Sequence, residues 1–205
     1  LFRSCKAHFL VVAGDLFDKT TVAKKVLQET GKALSTFEGD AVLIVPGNHD
    51  LSWDAPVYDW RQKRLVAPNE LVSGFHVEQG ACYLIRADDR YGTRFENFAK
   101  FYHSLFQEPY PIDHASQALA YLAEDSAIQF LALNSAWEID EYFKDRSSIH
   151  NGALTSALLK TEEQVANAKS LDKGRTVLKI AVWHHPITGN EKIKDDAFVD
   201  RLDRK

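Results

Sequence analysis

Three short motifs carry the residue types that could do chemistry in this chain: Gly14–Asp18 (GDLFD), Pro46–Asp50 (PGNHD) and Trp183–Pro186 (WHHP). Carboxylate and amide oxygens and imidazole nitrogens bind divalent metal ions, and the same groups serve in acid–base catalysis. Each motif alone is equally compatible with ordinary turn chemistry, because Gly, Pro, Asn and Asp are common turn residues. Their joint occurrence in this order favours a metal-dependent catalytic site over three incidental turns.

Each motif follows an apolar run of strand length, at residues 8–13, 41–45 and 176–182. Such runs, rich in β-branched residues and ended by Gly, Pro or His, indicate buried strands. Residues 19–35 carry apolar side chains at helical spacing, so the first two strands and this helix form a predicted βαβ unit. Ligands of open α/β sheets bind beyond the carboxyl ends of the strands. We therefore expect the three motifs to converge at one edge of a sheet.

The other segments predict a single α/β domain with a mixed sheet and no internal repeat. Apolar periodicity and turn residues set the bounds of its elements. They are a long loop over 51–70, a strand at 83–85, a helix over 94–107, a hairpin of strands 118–123 and 128–133, a helix over 155–170 capped by Thr155, and a helix at about 195–203.

Composition limits the class of protein and its partners. The 205 residues are 45% hydrophobic and 11% aromatic, which is typical of a folded globular chain and not of a disordered one. No apolar run approaches the ~20 residues that cross a bilayer, so we expect no membrane partner. The net charge is −4, and RQKR at 61–64 is the only dense basic run, which disfavours a nucleic-acid partner. Two cysteines without motif spacing predict a reducing compartment, the cytoplasm.

The motif set resembles the calcineurin-like metallophosphoesterase superfamily. Its pattern runs D-x-H, G-D-x-x-D, G-N-H-[DE], a strand-terminal His and G-H-x-H; GDLFD, GNHD and HHP match the middle three elements across residues 8–186. The resemblance implies an α/β fold, a sandwich of mixed β-sheets flanked by helices in a four-layer αββα arrangement. It also implies a phosphoester substrate, two divalent ions (Mn, Fe or Zn) between the sheet edges and a bridging hydroxide.

The resemblance also implies roles for the metal ligands and the catalytic residue. Asp15 is implied as the carboxylate that bridges both ions, and Asn48 and His184 as ligands of the second ion. His49 is implied not to bind metal but to stabilise the phosphoryl charge or protonate the leaving oxygen. His184 is preferred to His185 as the ligand because the family places its ligand directly at the strand end.

Three further residues are implied to orient the site without binding metal: Asp18, Asp50 and His185. Asp50 is expected to accept hydrogen bonds from groups beside the ligands. For Asp18, a carboxylate that stabilises a helix N-terminus is an equally close interpretation.

Two elements of the family pattern, D-x-H and G-H-x-H, do not occur in this sequence, and neither does any methionine. We expect residues 1–205 to be one metallophosphoesterase domain that is truncated at both ends, with further domains in a longer parent chain. The alternative is a degenerate member that kept the fold and lost the metals.

The favoured hypothesis is a metal-dependent phosphodiesterase that acts on a small phosphodiester or nucleotide. One alternative is a DNA-end nuclease of the same superfamily, which the -LFD- sequence of the first motif resembles. Another is a catalytically inactive scaffold. The intact set of Asp15, Asn48, His49 and His184 argues against the scaffold, because drift after loss of activity has no reason to spare all four.

Overall fold

A computed structural model describes most of the chain, namely residues 8–16, 24–62, 65–68, 70, 72–76, 82–171, 174–190, 192–194 and 197–203. Its strands are β1 Phe9–Ala13, β2 Ala41–Val45, β3 Tyr58–Gln62, β4 Val72–His76, β5 Cys82–Arg86, β6 Ala118–Ala123, β7 Ile128–Leu133 and β8 Leu178–Val182. Its α-helices are α1 Lys24–Ser35, α2 Asp88–Tyr91, α3 Glu96–Phe106, α4 Asn151–Asn167 and α5 Ala197–Asp203. None of these helices is long and apolar enough to cross a membrane.

The described strands form three small sheets. β1 and β2 pair in parallel, which confirms the predicted βαβ unit in the part of its helix that is described, α1. β3, β5 and β4 form an antiparallel sheet in that order. β6 and β7 form the predicted hairpin, and β8 adds to β7 in parallel, so the third sheet is mixed.

The first sheet lies between helices and the third sheet. Successive side chains of a strand point to opposite faces. Leu10 of β1 packs in an apolar cluster with Leu34 of α1 and Phe101 of α3. The neighbouring Phe9 points the other way, and its ring centroid lies 5.0 Å from that of Phe130 in β7.

The third sheet is covered by helices on its far face. Leu131 and Leu133 of β7 alternate with Phe130 and pack against Leu154 of α4 and Phe198 of α5. The layers therefore run helix, sheet, sheet, helix. This is the mixed α/β architecture that the resemblance implied.

The predicted loop over 51–70 was wrong, because it contains the strand β3. Tyr58 is buried and Trp60 packs against the same apolar cluster, while Asp59 and Arg61 alternate with them. This period of two is short and contains no aliphatic residue, so it does not stand out as an apolar run. The strand β4 was not predicted either.

The predicted start of the 155–170 helix was also wrong. α4 begins at Asn151, and His150 caps it because its ring Nδ1 accepts a hydrogen bond from the Ala153 N–H at 3.2 Å. Thr155 lies inside the helix, where its hydroxyl donates to the carbonyl of Asn151 at 2.9 Å. Threonine was the more usual capping residue of the two, which explains the error.

A buried polar network joins the second sheet to the segment that follows β7. Asp140 is only 1% exposed and accepts hydrogen bonds from the hydroxyls of Tyr58 at 2.6 Å and Tyr91 at 2.9 Å. Burial, the largest cause, raises the pKa of both phenols, so both remain protonated donors. Arg94, also buried, donates to the carbonyl of Trp137 at 2.6 Å. These bonds fix the course of the chain beyond the carboxyl end of β7.

Candidate metal centre

The first motif turns sharply after β1. Gly14 and Asp15 both have positive φ angles, 79° and 47°, a region that is uncommon for residues other than glycine. The Oδ1 atom of Asp15 accepts a hydrogen bond from the His49 N–H at 2.9 Å. A Cβ atom at Gly14 would collide with the ring of His184. The glycine therefore allows this histidine to approach the turn.

The second motif is tied to the first by the Asp50 carboxylate. Its Oδ2 atom accepts hydrogen bonds from the N–H of Gly47 at 2.8 Å and of Asp15 at 3.1 Å. A Cβ atom at Gly47 would overlap Asp15, so only glycine fits here. Burial raises the pKa of Asp50 to about 6, against the opposing effect of the Gly47 hydrogen bond. Asp50 thus lies behind Asp15 and connects the two turns.

His184 brings the third motif to the other two. Its Nε2 atom lies 3.0 Å from Oδ2 of Asp15 and 3.2 Å from the side-chain oxygen of Asn48. Its Nδ1 atom lies 2.9 Å from the carbonyl oxygen of Ala13, which can only accept, so Nδ1 carries a proton. Nε2 therefore faces two oxygen atoms that are acceptors. A divalent cation placed among these three atoms would be attracted by each of them.

The two distances measured from Nε2 of His184 resemble those between ligands of one divalent ion. Ligands about 2.0–2.2 Å from a tetrahedral ion lie roughly 3.3–3.6 Å from one another, close to the 3.0 and 3.2 Å separations at His184. A cluster of three His, Cys, Asp or Glu side chains suited to a metal does not occur within the described part of the chain. The set of Asp15, His184 and Asn48 is not such a cluster, because its third member contributes the oxygen of a side-chain amide.

Ser135 holds the His184–His185 turn from behind. It is fully buried directly after β7, and its hydroxyl oxygen accepts the N–H groups of His184 at 3.2 Å and His185 at 3.1 Å. The hydroxyl proton is then left to donate to Nδ1 of His185, 2.9 Å away. One side chain of the third sheet thus fixes both histidines at the end of β8.

The two histidines have different surroundings. His185 is 6% exposed and faces Ser135, whereas His184 faces Asp15 and Asn48. Burial, followed by the charge of His184, lowers the pKa of His185 to about 4, so its ring is neutral near pH 7. His184 therefore lies beside Asp15 and Asn48, whereas His185 packs behind it against Ser135.

The remaining predicted site residues are His49 and Asp18. His49 is exposed, next to Asn48, and its backbone is held by Asp15. Asp18 lies outside the described residues, so its two interpretations stay as they were predicted. The donors also do not share one sheet edge, as the strand pattern had suggested, because β1 and β2 belong to one sheet and β8 to another.

Sequence reasoning missed Ser135. A signal was present, because Asn134 and Ser135 follow the apolar strand β7 just as the three motifs follow theirs. A lone serine after a strand has no pattern of its own, however, and its role depends on the partner strand β8.

The motif geometry agrees with a family comparison. A protein-family model for calcineurin-like phosphoesterases matches residues 1–205. This chain belongs to the calcineurin-like phosphoesterase family. Members of that family are in general metal-dependent phosphoester hydrolases that use two metal ions. Comparisons with curated proteins and with solved structures found no match.

The hydrogen bonds between Ser135 and the His184–His185 turn lead to a prediction about metal affinity. Ser135→Ala should weaken binding of Mn²⁺ by roughly tenfold to a hundredfold, as loss of groups that orient ligands does. Isothermal titration calorimetry measures this affinity. Ser148→Ala is the matched control, since Ser148 is also buried but bonds to Glu138 at 3.1 Å. Equal affinity in both variants would contradict a role for Ser135 in positioning His184.

The two histidines can be separated by substitution. His184→Ala should abolish stoichiometric binding of Mn²⁺ or Zn²⁺, because it removes a donor atom from the cluster. His185→Ala should leave the number of bound ions unchanged, since its ring nitrogen is engaged by Ser135. Metal analysis of the purified variants by mass spectrometry gives both values. The opposite result, loss in His185→Ala alone, would show that the other histidine is the ligand.

Proposed function

We propose that this calcineurin-like phosphoesterase hydrolyses a small phosphodiester or nucleotide and binds two divalent ions for that reaction. The observation that carries the proposal is the convergence of His184 Nε2 with Oδ2 of Asp15 and the side-chain oxygen of Asn48 within 3.2 Å. An imidazole nitrogen, a carboxylate oxygen and an amide oxygen at these distances are typical ligands of a divalent ion.

Asp15, Asn48 and His184 would hold metal, and Asp15 is the proposed carboxylate shared by both ions. When bound, divalent ions at such a site polarise the phosphoryl oxygen and activate water. Mn, Fe and Zn all suit this mixture of nitrogen and oxygen donors. Asp50 holds the Asp15 backbone and the Gly47 turn in register, which keeps the carboxylate and the amide at a fixed separation.

His49 is the proposed catalytic residue. Its exposed side chain follows Asn48 directly, so it is available to a substrate that reaches the donor cluster. The bond from its N–H to Asp15 fixes the backbone from which the ring extends. In this position the imidazole donates a proton to the leaving oxygen or stabilises charge on the phosphoryl group.

A small substrate is favoured over nucleic acid by the distribution of charge. The chain has a net charge of −4. In the short basic run, Arg61 already pairs with Asp59 at 3.8 Å and with Glu70 at 3.6 Å. Proteins that hold a nucleic-acid backbone need cations that are free to neutralise phosphates. A DNA-end nuclease is the second candidate, and the GDLFD motif is what favours it.

Metal content and turnover test the proposed function directly. The purified full-length parent protein should contain about two ions per chain and should hydrolyse bis-p-nitrophenyl phosphate only when Mn²⁺ is present. Asp15→Asn should lose both metal and activity, because a neutral amide is a poor bridge. A folded protein without metal or turnover would support the scaffold instead, and cleavage of DNA ends in preference to the small diester would support the nuclease.

Substitution of His49 separates catalysis from metal binding. His49→Ala should keep its metal content and lower kcat by roughly two to four orders of magnitude, as expected when acid–base assistance is removed. His103→Ala is the control, because His103 is likewise exposed but lies on α3. An unchanged rate in His49→Ala, measured with a saturating metal concentration, would refute the role.

A further inference from the structure

A cavity of about 230 Å³ lies beside the loop that follows Asp50. Four aromatic side chains line it, namely Trp53, Tyr58, Trp60 and Tyr142. Liquid water occupies about 30 Å³ per molecule, so the cavity holds a group of roughly seven non-hydrogen atoms. It is large enough for a small organic molecule and too small for a nucleotide.

The aromatic rings meet at right angles. The centroid of Tyr142 lies 5.5 Å from that of Tyr58 and 5.6 Å from that of Trp60, with interplanar angles of 80° and 85°. Both pairs share Tyr142, so three of the four lining rings are in contact with one another. A cation already packs against another lining ring, since Nζ of Lys144 lies 5.6 Å from the ring centroid of Trp53. Such a distance is typical of a cation–π contact.

The charge at the cavity is negative. Asp54 and Glu141 line it, are exposed, and form no ion pair or hydrogen bond with any residue that the structure describes. The deeper charges are satisfied, because Asp140 accepts bonds from Tyr58 and Tyr91, and Arg94 donates to main-chain carbonyls. Asp54 and Glu141 therefore line the cavity without an ion pair to any described cation.

We propose that this cavity binds a small organic cation of the alkylammonium class, at a site separate from the metal centre. An anion would be repelled by Asp54 and Glu141. A bare metal ion would gain nothing from the aromatic walls, and a neutral apolar molecule nothing from the carboxylates. An alkylammonium group uses both, since ring faces and carboxylates each attract its charge and the rings cover its methyl groups.

Choline and its neutral carbon analogue, 3,3-dimethylbutan-1-ol, test this proposal because they have the same shape. Ligand-observed NMR titrations are made on the whole chain without added metal. Choline should bind, and the neutral analogue should bind at least fivefold more weakly. Equal binding of the two compounds would overturn the proposal, and so would the absence of choline binding.

Variants locate the binding site. Trp60→Leu and Glu141→Gln should each weaken choline binding at least threefold, and circular dichroism checks that both are folded. The Glu141 side chain is exposed and forms no hydrogen bond or ion pair with a described residue, so its substitution should not disturb folding. Glu108→Gln, the same change at an exposed site after α3, is the matched control and should bind choline like the unmodified chain.

Asp15→Asn distinguishes this site from the metal centre. If choline binds in the cavity, this variant should bind it with unchanged affinity. Loss of binding in Asp15→Asn would mean that the cation enters the metal centre, and would overturn the proposal. Because these titrations use neither metal nor phosphoester, their outcome does not depend on whether the proposed hydrolase activity is found.

Discussion

Nε2 of His184 lies 3.0 Å from Oδ2 of Asp15 and 3.2 Å from the side-chain oxygen of Asn48 at the end of the sandwich, and the surrounding structure keeps these atoms together. Two of the three residues are restrained by hydrogen bonds to groups outside the cluster. The carbonyl of Ala13 orients the His184 ring, the Asp50 carboxylate holds the backbone of Asp15, and Ser135 holds the backbone of His184. Hydrogen bonds outside the cluster therefore hold Asp15 and His184 in place, and the proposed cation would add attraction within the cluster.

The donors also come from two sheets, so their separation depends on how the sheets pack. β1 and β2 carry Asp15 and Asn48, whereas β8 carries His184. Contact between Phe9 and Phe130 sets the spacing of the layers at one end of these strands. At the other end, Ser135 bonds to the turn that bears His184. A change of packing between the two sheets would therefore alter the distance from His184 to Asp15 and Asn48, even though none of these three residues is substituted.

Sequence alone could predict the parts of this arrangement that repeat a local pattern. The apolar strands, the βαβ unit, the hairpin and the polar motifs were all visible, because each is encoded by neighbouring residues. Ser135 was not, since its function arises only when β7 and β8 lie side by side. The strand β3 was missed because its buried residues are aromatic and alternate with charges, and the cap of α4 because histidine rarely takes that place. The local sequence pattern could not predict which distant strand or residue each of these groups contacts.

The loop after Asp50 connects the metal centre to the aromatic cavity. Leu51 is 1% exposed and packs with Phe95 and Ile139, and the N–H of Ser52 donates to the carbonyl of Arg94 at 2.9 Å. Trp53, the next residue, is part of the cavity wall. Of the three residues after Asp50, Leu51 therefore packs in the core, Ser52 forms a hydrogen bond and Trp53 lines the cavity. A group in the proposed cavity site would therefore contact the segment that continues directly from the turn bearing Asn48.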